Sequence, residues 1–333
     1  MTGRPPLVDV IVPAYNAARF LRAAIDSALA QDGPPLRVIV VNDGSTDDTE
    51  AIARAYGDPV VVVSQANRGL PGARNRGIAE STAPYLALLD ADDVWKPGKI
   101  ARQVAVLDAH PEVGFVFTDM TIFQGDMEVV EDGYLDHEPG YRSLARVALG
   151  DGAALLPAGV ADRLMRENFV SPSTVMLRGE AIRRIGGFDE AFRVCEDIEC
   201  WLRLLRDWRA AAIEERLVLS RRGVGNLTAQ HERMLRGRLM LVAKALAQPE
   251  LYPPGAPEHF RRERPVRLYR LGRLKWKEGD VRAAREHLRA SLRERPRPVT
   301  ALALATTFLG PRARGALLRC KRALGYTIRT PVD

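Results

Sequence analysis

Four short apolar runs, Leu7–Val12, Leu36–Val41, Val60–Ser64 and Tyr85–Leu89, recur along the start of the chain with helical patterns between them. Between the first two, Phe20, Leu21, Ala24, Ile25, Ala28 and Leu29 repeat at helical spacing within Ala17–Ala30. Helices also fit about Asp47–Tyr56, with Asp47 and Asp48 at its positive end, and Gly72–Glu80. Apolar runs that do not alternate with polar residues are strands buried on both faces. Each intervening helix is the crossover that a parallel pair requires. The pattern therefore predicts an α/β fold with a parallel sheet covered on both faces.

Beyond Lys96-Pro97 the spacing predicts a helix to His110 and a strand at Val113–Thr118. Asp126–Glu167 has no period and contains Gly and Pro, which reads as a partly loop-like insertion. A strand is expected at Ser173–Leu177 and a short helix at Ala181–Ile185, stopped by Gly186-Gly187. A further helix covers Ile198–Arg206, with Trp201, Leu202 and Leu205 on one buried face. From about Ala229 the strand signals vanish. Leu268–Arg293 reads as two amphipathic helices joined at Glu278-Gly279-Asp280, a pattern resembling one tetratricopeptide-type hairpin. One such hairpin is too short for a solenoid. The expected division is an α/β domain at 1–228 and a basic helical region, with one helical hairpin, at 229–333.

The net charge of +7 over 333 residues conceals an asymmetry. Arg261–Asp333 carries 20 Lys and Arg against 6 Asp and Glu, and the rest of the chain is net −7. Three cysteines cannot form a disulfide framework and fit a reducing cytosol. Five scattered histidines disfavour a His-rich zinc site. No apolar run approaches the ~20 residues of a membrane span, and Met1–Pro6 lacks a signal-peptide pattern. The expected location is cytoplasmic. The tail adds a peripheral reading. Ala316, Leu317, Leu318, Cys320, Ala323, Leu324 and Ile328 form an apolar stripe beside Arg312, Arg314, Arg319, Lys321 and Arg322. Such a helix suits an anionic membrane on its inner face, or equally a surface of its own protein or of a twin subunit in a homo-oligomer.

Chemistry-bearing residues gather at the strand ends, where an open α/β sheet places its ligand crevice. They are Pro13-Ala14-Tyr15-Asn16, then Asn42-Asp43-Gly44-Ser45-Thr46-Asp47, then Asp90-Ala91-Asp92-Asp93 and, later, Glu196-Asp197. Gathered carboxylates repel one another unless a cation joins them. Asp90, Asp92 and Asp93 are hard oxygen ligands of the kind Mg²⁺ or Mn²⁺ takes. Magnesium commonly combines one or two carboxylates with substrate phosphates, so a diphosphate-bearing substrate is implied. Asp43 can accept hydrogen bonds from a nucleobase or ribose.

In this order the segments resemble the inverting, nucleotide-sugar-dependent glycosyltransferases of family two. The resemblance spans about Val8–Thr228. It implies the GT-A fold: α/β, Rossmann-like, with a mostly parallel central sheet, helices on both faces and, here, a C-terminal α-helical region. Pro13, Ala14, Tyr15 and Asn16 match the first nucleotide loop, and Asp43 takes the nucleobase position. Asn67 and Arg74, within Asn67-Arg68-Gly69 and Ala73-Arg74-Asn75-Arg76-Gly77, match the element lining the nucleotide cleft. Asp90-Ala91-Asp92-Asp93 matches the DxD metal motif, with Asp92 joined by Asp90 or Asp93. Glu196-Asp197 matches the ED motif, which makes Asp197 the general base and Glu196 its neighbour. One departure stands out: where members carry Tyr-Arg-x-His, this chain has Ser220-Arg221-Arg222-Gly223. Arg221 or Arg222 is then left either to meet the diphosphate or to face solvent.

The resemblance implies a donor carrying UDP, dTDP or GDP, a divalent cofactor (Mn²⁺ or Mg²⁺) and a glycan or lipid-linked acceptor of envelope or polysaccharide synthesis. Two other classes remain in play: a nucleotide-sugar-binding protein without catalysis, and a basic nucleic-acid-binding protein. The latter leaves the acidic crevice unexplained, and the tail has few aromatics for base stacking, so no nucleic acid is expected. A dinucleotide dehydrogenase is disfavoured because no Gly-x-Gly-x-x-Gly follows the first strand. Trp201 is left between a sugar platform and the core, Cys195 reads as a buried filler, and His137 and His231 as surface residues.

Overall fold

The computed structural model describes residues 7–125, 127–222 and 227–309. The chain divides into two units, Met1–Asn226 with Lys244–Pro257, and Leu227–Ala243 with Glu258–Asp333.

The first unit opens with β1 (Val8–Ala14), α1 (Leu21–Leu29), β2 (Leu36–Asn42), α2 (Thr49–Arg54), β3 (Val60–Ser64), α3 (Gly69–Glu80) and β4 (Tyr85–Leu88). β1 pairs in parallel with β2 on one side and β4 on the other, and β2 pairs in parallel with β3. Val8, Val10, Ile11 and Val12 are all fully buried, as strands covered on both faces require. Val8, Val10 and Val12 share a core with Leu21, Ala24, Ile25 and Ala28 of α1, the stripe read from the sequence. Ile11 packs against α3 at Gly77, where a Cβ would stand 2.5 Å from the Ile11 Cγ2. Only glycine permits that approach.

Then follow β5 (Val94–Trp95), α4 (Lys99–Ala109), β6 (Val113–Gln124), β7 (Glu128–Asp132), α5 (Tyr134–His137), α6 (Pro139–Arg142), β8 (Val147–Gly150), β9 (Ala153–Leu155) and α7 (Val160–Arg166). A 3₁₀ turn at Pro172–Thr174 leads into β10 (Val175–Arg178), α8 (Gly179–Arg184), α9 (Glu196–Leu204) and β11 (Arg209–Arg221). The sheet order is β3-β2-β1-β4-β10-β6-β11-β9-β8. Its first four strands are parallel, β10 runs against both neighbours, and β6 and β11 are again parallel to each other. The segment 126–167, expected to be partly loop-like, contributes β7, β8, β9 and short helices among its described residues. Its strands have three to five residues and are largely exposed in β7 and β8, too short and too wet to carry a period.

α10 (Leu227–Ala247) begins in the second unit and ends in the first. α11 (Ala256–Glu278) lies in the second unit but for its first two residues, and α12 (Val281–Glu294) and α13 (Pro298–Thr306) follow there. α11 and α12 form the expected hairpin. Asp280 caps α12 by accepting from the Ala283 N–H at 3.0 Å. Pro265, inside α11, has its carbonyl taken by the Ser291 hydroxyl at 2.7 Å. Among the described residues no helix is long and apolar enough to cross a membrane. The expected tail stripe of 316–328 and the Gly223 position lie outside the described residues.

Candidate active site

Register brings the loops together. Ala14 of β1 lies opposite Asn42 of β2, and Ile11 lies opposite Leu88 of β4. The residues after each strand therefore emerge along one edge. The chain moves from β1 out to β3 and returns to β4 on the other side of β1, so the crevice sits at that change of direction.

The first two loops are laced to each other. Asn16, at a left-handed φ of 49°, donates its N–H to the Ser45 hydroxyl at 3.0 Å and accepts the Thr46 N–H on Oδ1 at 2.8 Å. The Ala17 N–H reaches the Thr49 hydroxyl at 2.8 Å. Pro13 and Ala14 belong to the buried end of β1, whereas Tyr15 is 54% exposed. Asp43 is only 3% exposed. Its Oδ1 accepts from the Gln65 amide at 2.7 Å and the Arg68 N–H at 2.8 Å, and its Oδ2 accepts from the Gly69 N–H at 2.8 Å. It thus holds the start of α3, with Gly44 at φ 77° close beneath Asn67. Asn67 is exposed at the same edge, its Oδ1 accepting from the Gly69 N–H.

Arg74 is a correction to the sequence reading. It was expected to line the cleft but is 1% exposed, beneath it. One guanidinium nitrogen donates to Asp90 Oδ1 at 2.8 Å and the other to Glu196 Oε1 at 3.0 Å. The guanidinium also lies over the Phe188 ring, 5.3 Å from its centre. Burial opposes its charge, but Asp90 and Glu196 outweigh that and hold it above the ordinary arginine value. A cation locked between two carboxylates has little left to offer a nucleotide.

The carboxylates of Asp90-Ala91-Asp92-Asp93 diverge. Ala91 is buried and Asp93 is 4% exposed. Asp93 Oδ1 accepts the Arg221 N–H at 2.8 Å, and Oδ2 faces the Ser220 hydroxyl at 3.4 Å. Asp93 therefore fastens the loop to the end of β11, which corrects its expected place among the metal ligands. Burial, then the Asp90 charge, pushes its carboxyl up to about 7. Burial and Asp90 also raise Asp92. The Asp92 carboxylate takes a hydrogen bond from its own backbone N–H, and among the described residues no three His, Cys, Asp or Glu side chains converge as a metal cluster. The donor set fits a divalent ion only in the sparse form: Asp92, with Asp90 beside it, completed by phosphate oxygens. Arg221 faces Asp92 closely enough to moderate its rise. Its guanidinium donates to the Gly125 carbonyl at 2.9 Å and lies over the rings of Phe20 and Phe123, at 4.5 and 4.4 Å. It is thus held at the crevice by its own protein rather than free in solvent.

α9 carries the last pair. Trp201 is fully buried and stacked on Phe115 of β6, with centroids 5.4 Å apart, so its role is core. β11 then begins at Arg209 opposite Val113, so α9 runs toward the amino end of β6. Its own start, Glu196-Asp197, therefore points to the carboxyl edge and the crevice. Burial, then the Asp197 charge, raises the Glu196 carboxyl. Asp197 is half-buried and accepts the Asn168 amide at 2.7 Å. Below it, fully buried Glu199 takes Arg203 on both oxygens, the Lys244 ammonium at 2.6 Å and the Tyr252 hydroxyl at 3.1 Å. This buried network fixes α9 from behind. Neither Asn168 nor the Glu199 network was signalled by the sequence.

Residues 9–146 match the family model described as Glycosyl transferase family 2. Residues 9–146 of the chain are thus similar to glycosyl transferase family 2. An uncharacterised glycosyltransferase of Rickettsia prowazekii is 31% identical over 201 residues, which are 60% of this chain and 59% of that one. The chain thus spans about three fifths of that relative's length. The succinoglycan biosynthesis protein ExoO of Rhizobium meliloti is 42% identical over 106 residues, 31% of this chain and 30% of that protein. Among solved structures, a mannosyltransferase from Pyrobaculum calidifontis, in complex with GDP-Man and Mn²⁺, superposes with a TM-score of 0.60 at 22% identity. That match covers 96% of this chain and 81% of that one. The fold is GT-A-like, as the family 2 resemblance implied.

Proposed function

We propose that the chain is an inverting glycosyltransferase that moves a sugar from a nucleoside diphosphate to an acceptor hydroxyl. The observation that carries this reading is the Asp90–Arg74–Glu196 bridge, which ties the loop after β4 to the residue before Asp197. An acidic loop suited to a diphosphate and a half-exposed carboxylate suited to a base thereby share one crevice.

Asp197 takes the acceptor hydroxyl proton as the oxygen attacks the anomeric carbon. Attack comes from the face opposite the diphosphate, so one displacement inverts that carbon. The loops of Pro13–Asn16 and Asp43–Thr46, with Asn67, form the nucleoside edge. There Asp43 acts as the fixed carboxylate that shapes the base pocket. Asp92, with Asp90, would hold a Mg²⁺ or Mn²⁺ ion, and Arg221 stands beside them to meet the diphosphate. Bound there, such an ion neutralises charge on the departing diphosphate. The donor class is supported by the likeness to a mannosyltransferase solved with GDP-Man and Mn²⁺, and a polysaccharide acceptor by the likeness to ExoO.

The test is a panel of UDP-, dTDP- and GDP-sugars with Mn²⁺ or Mg²⁺, read by thermal stabilisation and then by nucleotide release. An α-linked donor should give a β-linked product by NMR. Stabilisation by no donor, or retention at the anomeric carbon, would overturn the reading.

A further inference from the structure

Among the described residues one side chain reaches Asp197 with a hydrogen bond, and it comes from neither the acidic loop nor α9. The Asn168 amide nitrogen donates to Asp197 Oδ2 at 2.7 Å, while Asp197 Oδ1 takes the Ile198 N–H at 2.7 Å. The sense of the amide is fixed by its other partner. Asn168 Oδ1 accepts the Val170 N–H at 3.3 Å, a bond only the oxygen can make, so the nitrogen must face Asp197.

The segment carrying Asn168 is itself pinned. The Tyr134 hydroxyl donates to the Asn168 carbonyl at 3.3 Å. The Trp201 indole donates to the Val170 carbonyl at 3.3 Å. Trp201 lies one turn after Asp197 on α9 and is stacked on the sheet. Residues 168 and 170 therefore grip α9 at two successive turns. The adjacent Phe169 packs edge-on against Tyr141, centroids 5.6 Å apart. A carboxylate at the first turn of a helix otherwise has several open rotamers. Here one oxygen is tied to Asn168 and the other to the Ile198 N–H, and the two bonds together fix the carboxylate's orientation.

We propose that Asn168 is a positioning residue for Asp197, aiming the carboxylate at the acceptor hydroxyl. The inference rests on the reading of Asp197 as the base. It places residues 168–170, which the sequence gives no reason to connect with α9, on the acceptor side of the site. A base displaced by about an ångström can lose ~10²-fold in rate while donor binding is untouched.

The decisive variant is Asn168→Asp. It is nearly isosteric and still accepts the Val170 N–H, so the local turn survives, but it has no N–H for Asp197. Asn168→Ser is the companion: its shorter hydroxyl can serve the same turn without reaching Asp197. With whichever donor of the panel is turned over, kcat should fall about 10–10²-fold in both. Donor KM and nucleoside-diphosphate affinity by calorimetry should stay at native values, and at least one variant should keep the native melting temperature. Native kcat in either folded variant overturns the inference. So does a loss of rate that only tracks the folded fraction. Asp197→Asn is measured alongside. If it transfers at the native rate, the base assignment fails. If it is inactive while Asn168→Asp is fully active, only the positioning role fails. No turnover with any donor overturns the reading on which both rest.

Discussion

Replacing Arg74 by Met removes the one cation shared by Asp90 and Glu196 while keeping a chain of similar length. Arg74 is 1% exposed, and the two carboxylates are 26% and 10% exposed in their side chains. Breaking a buried ion pair from one side costs about 3–5 kcal/mol, because the remaining charge is stranded. Glu196 is stranded almost completely, whereas Asp90 recovers some hydration, which places the loss toward the lower end. For a unit of this size each kcal/mol lowers Tm by about 2–4 °C, so a drop of roughly 6–12 °C is expected. The loss should depend on pH in a defined direction. Burial, then the Asp197 charge, already raises Glu196, and without the opposing guanidinium its carboxyl binds a proton still more readily in the folded state than in the unfolded chain. Stability then falls as pH rises above the ordinary carboxylate range. The deficit should be largest near pH 7–8 and smallest near pH 4–5. Arg74→Lys should fall between, since one ammonium serves two carboxylates 2.8 and 3.0 Å from separate nitrogens poorly. Scanning calorimetry across this pH range is the assay. A Met variant melting within about 2 °C of native at pH 7.5 would refute the view that this bridge holds the loop and helix together.

Asp197→Asn should keep donor binding but lose about 10²–10⁴-fold in transfer rate; native-rate transfer would pass the base role to Glu196. Chelation should weaken nucleoside-diphosphate binding far more than nucleoside binding, and Asp92→Ala should reproduce it in calorimetry; equal affinity with and without chelator would leave the charge to Arg221. Lys99 is fully buried, its ammonium 4.0 Å from the Trp95 ring centre and donating to Gln103 at 2.7 Å. Burial lowers its pKa well below 10.5, so the unfolded chain holds a proton the folded chain resists, and stability should rise with pH up to about 10.5. Lys99→Met should abolish that rise, and an unchanged pH slope in denaturant titrations would contradict the buried assignment. Removing the residues after Gly310 should abolish salt-sensitive binding to anionic vesicles yet spare transfer to a soluble acceptor; full-length protein that ignores such vesicles at low salt would end the membrane reading.

The parallel half was legible because its signal is local: uninterrupted apolar strands, a helical stripe between them and polar residues at the strand ends. The loops after β1, β2 and β4 were legible for the same reason. What each acidic residue does there was not. Asp90, Asp92 and Asp93 look alike in sequence, yet a tight turn sends one to Arg74, one toward the crevice and one under β11. Arg74 reads by resemblance as a cleft-lining residue, and its burial is set by partners 16 and 122 positions away. Asn168 had no signal at all. A neutral side chain in a stretch without period has no spacing relation to a carboxylate 29 residues later.

The place of β10 in the sheet has a consequence for synthesis on the ribosome. β4 and β6 are made early but never touch as neighbours, because β10 separates them. Until residue 178 has emerged, both strands present an unpaired edge, and such edges are templates for pairing with other chains. The nascent chain must therefore wait, with its earlier strands open, for four residues that arrive late. A fragment ending at residue 146, the limit of the family match, would carry that open seam permanently. It should collect in inclusion bodies rather than fold as a donor-binding half.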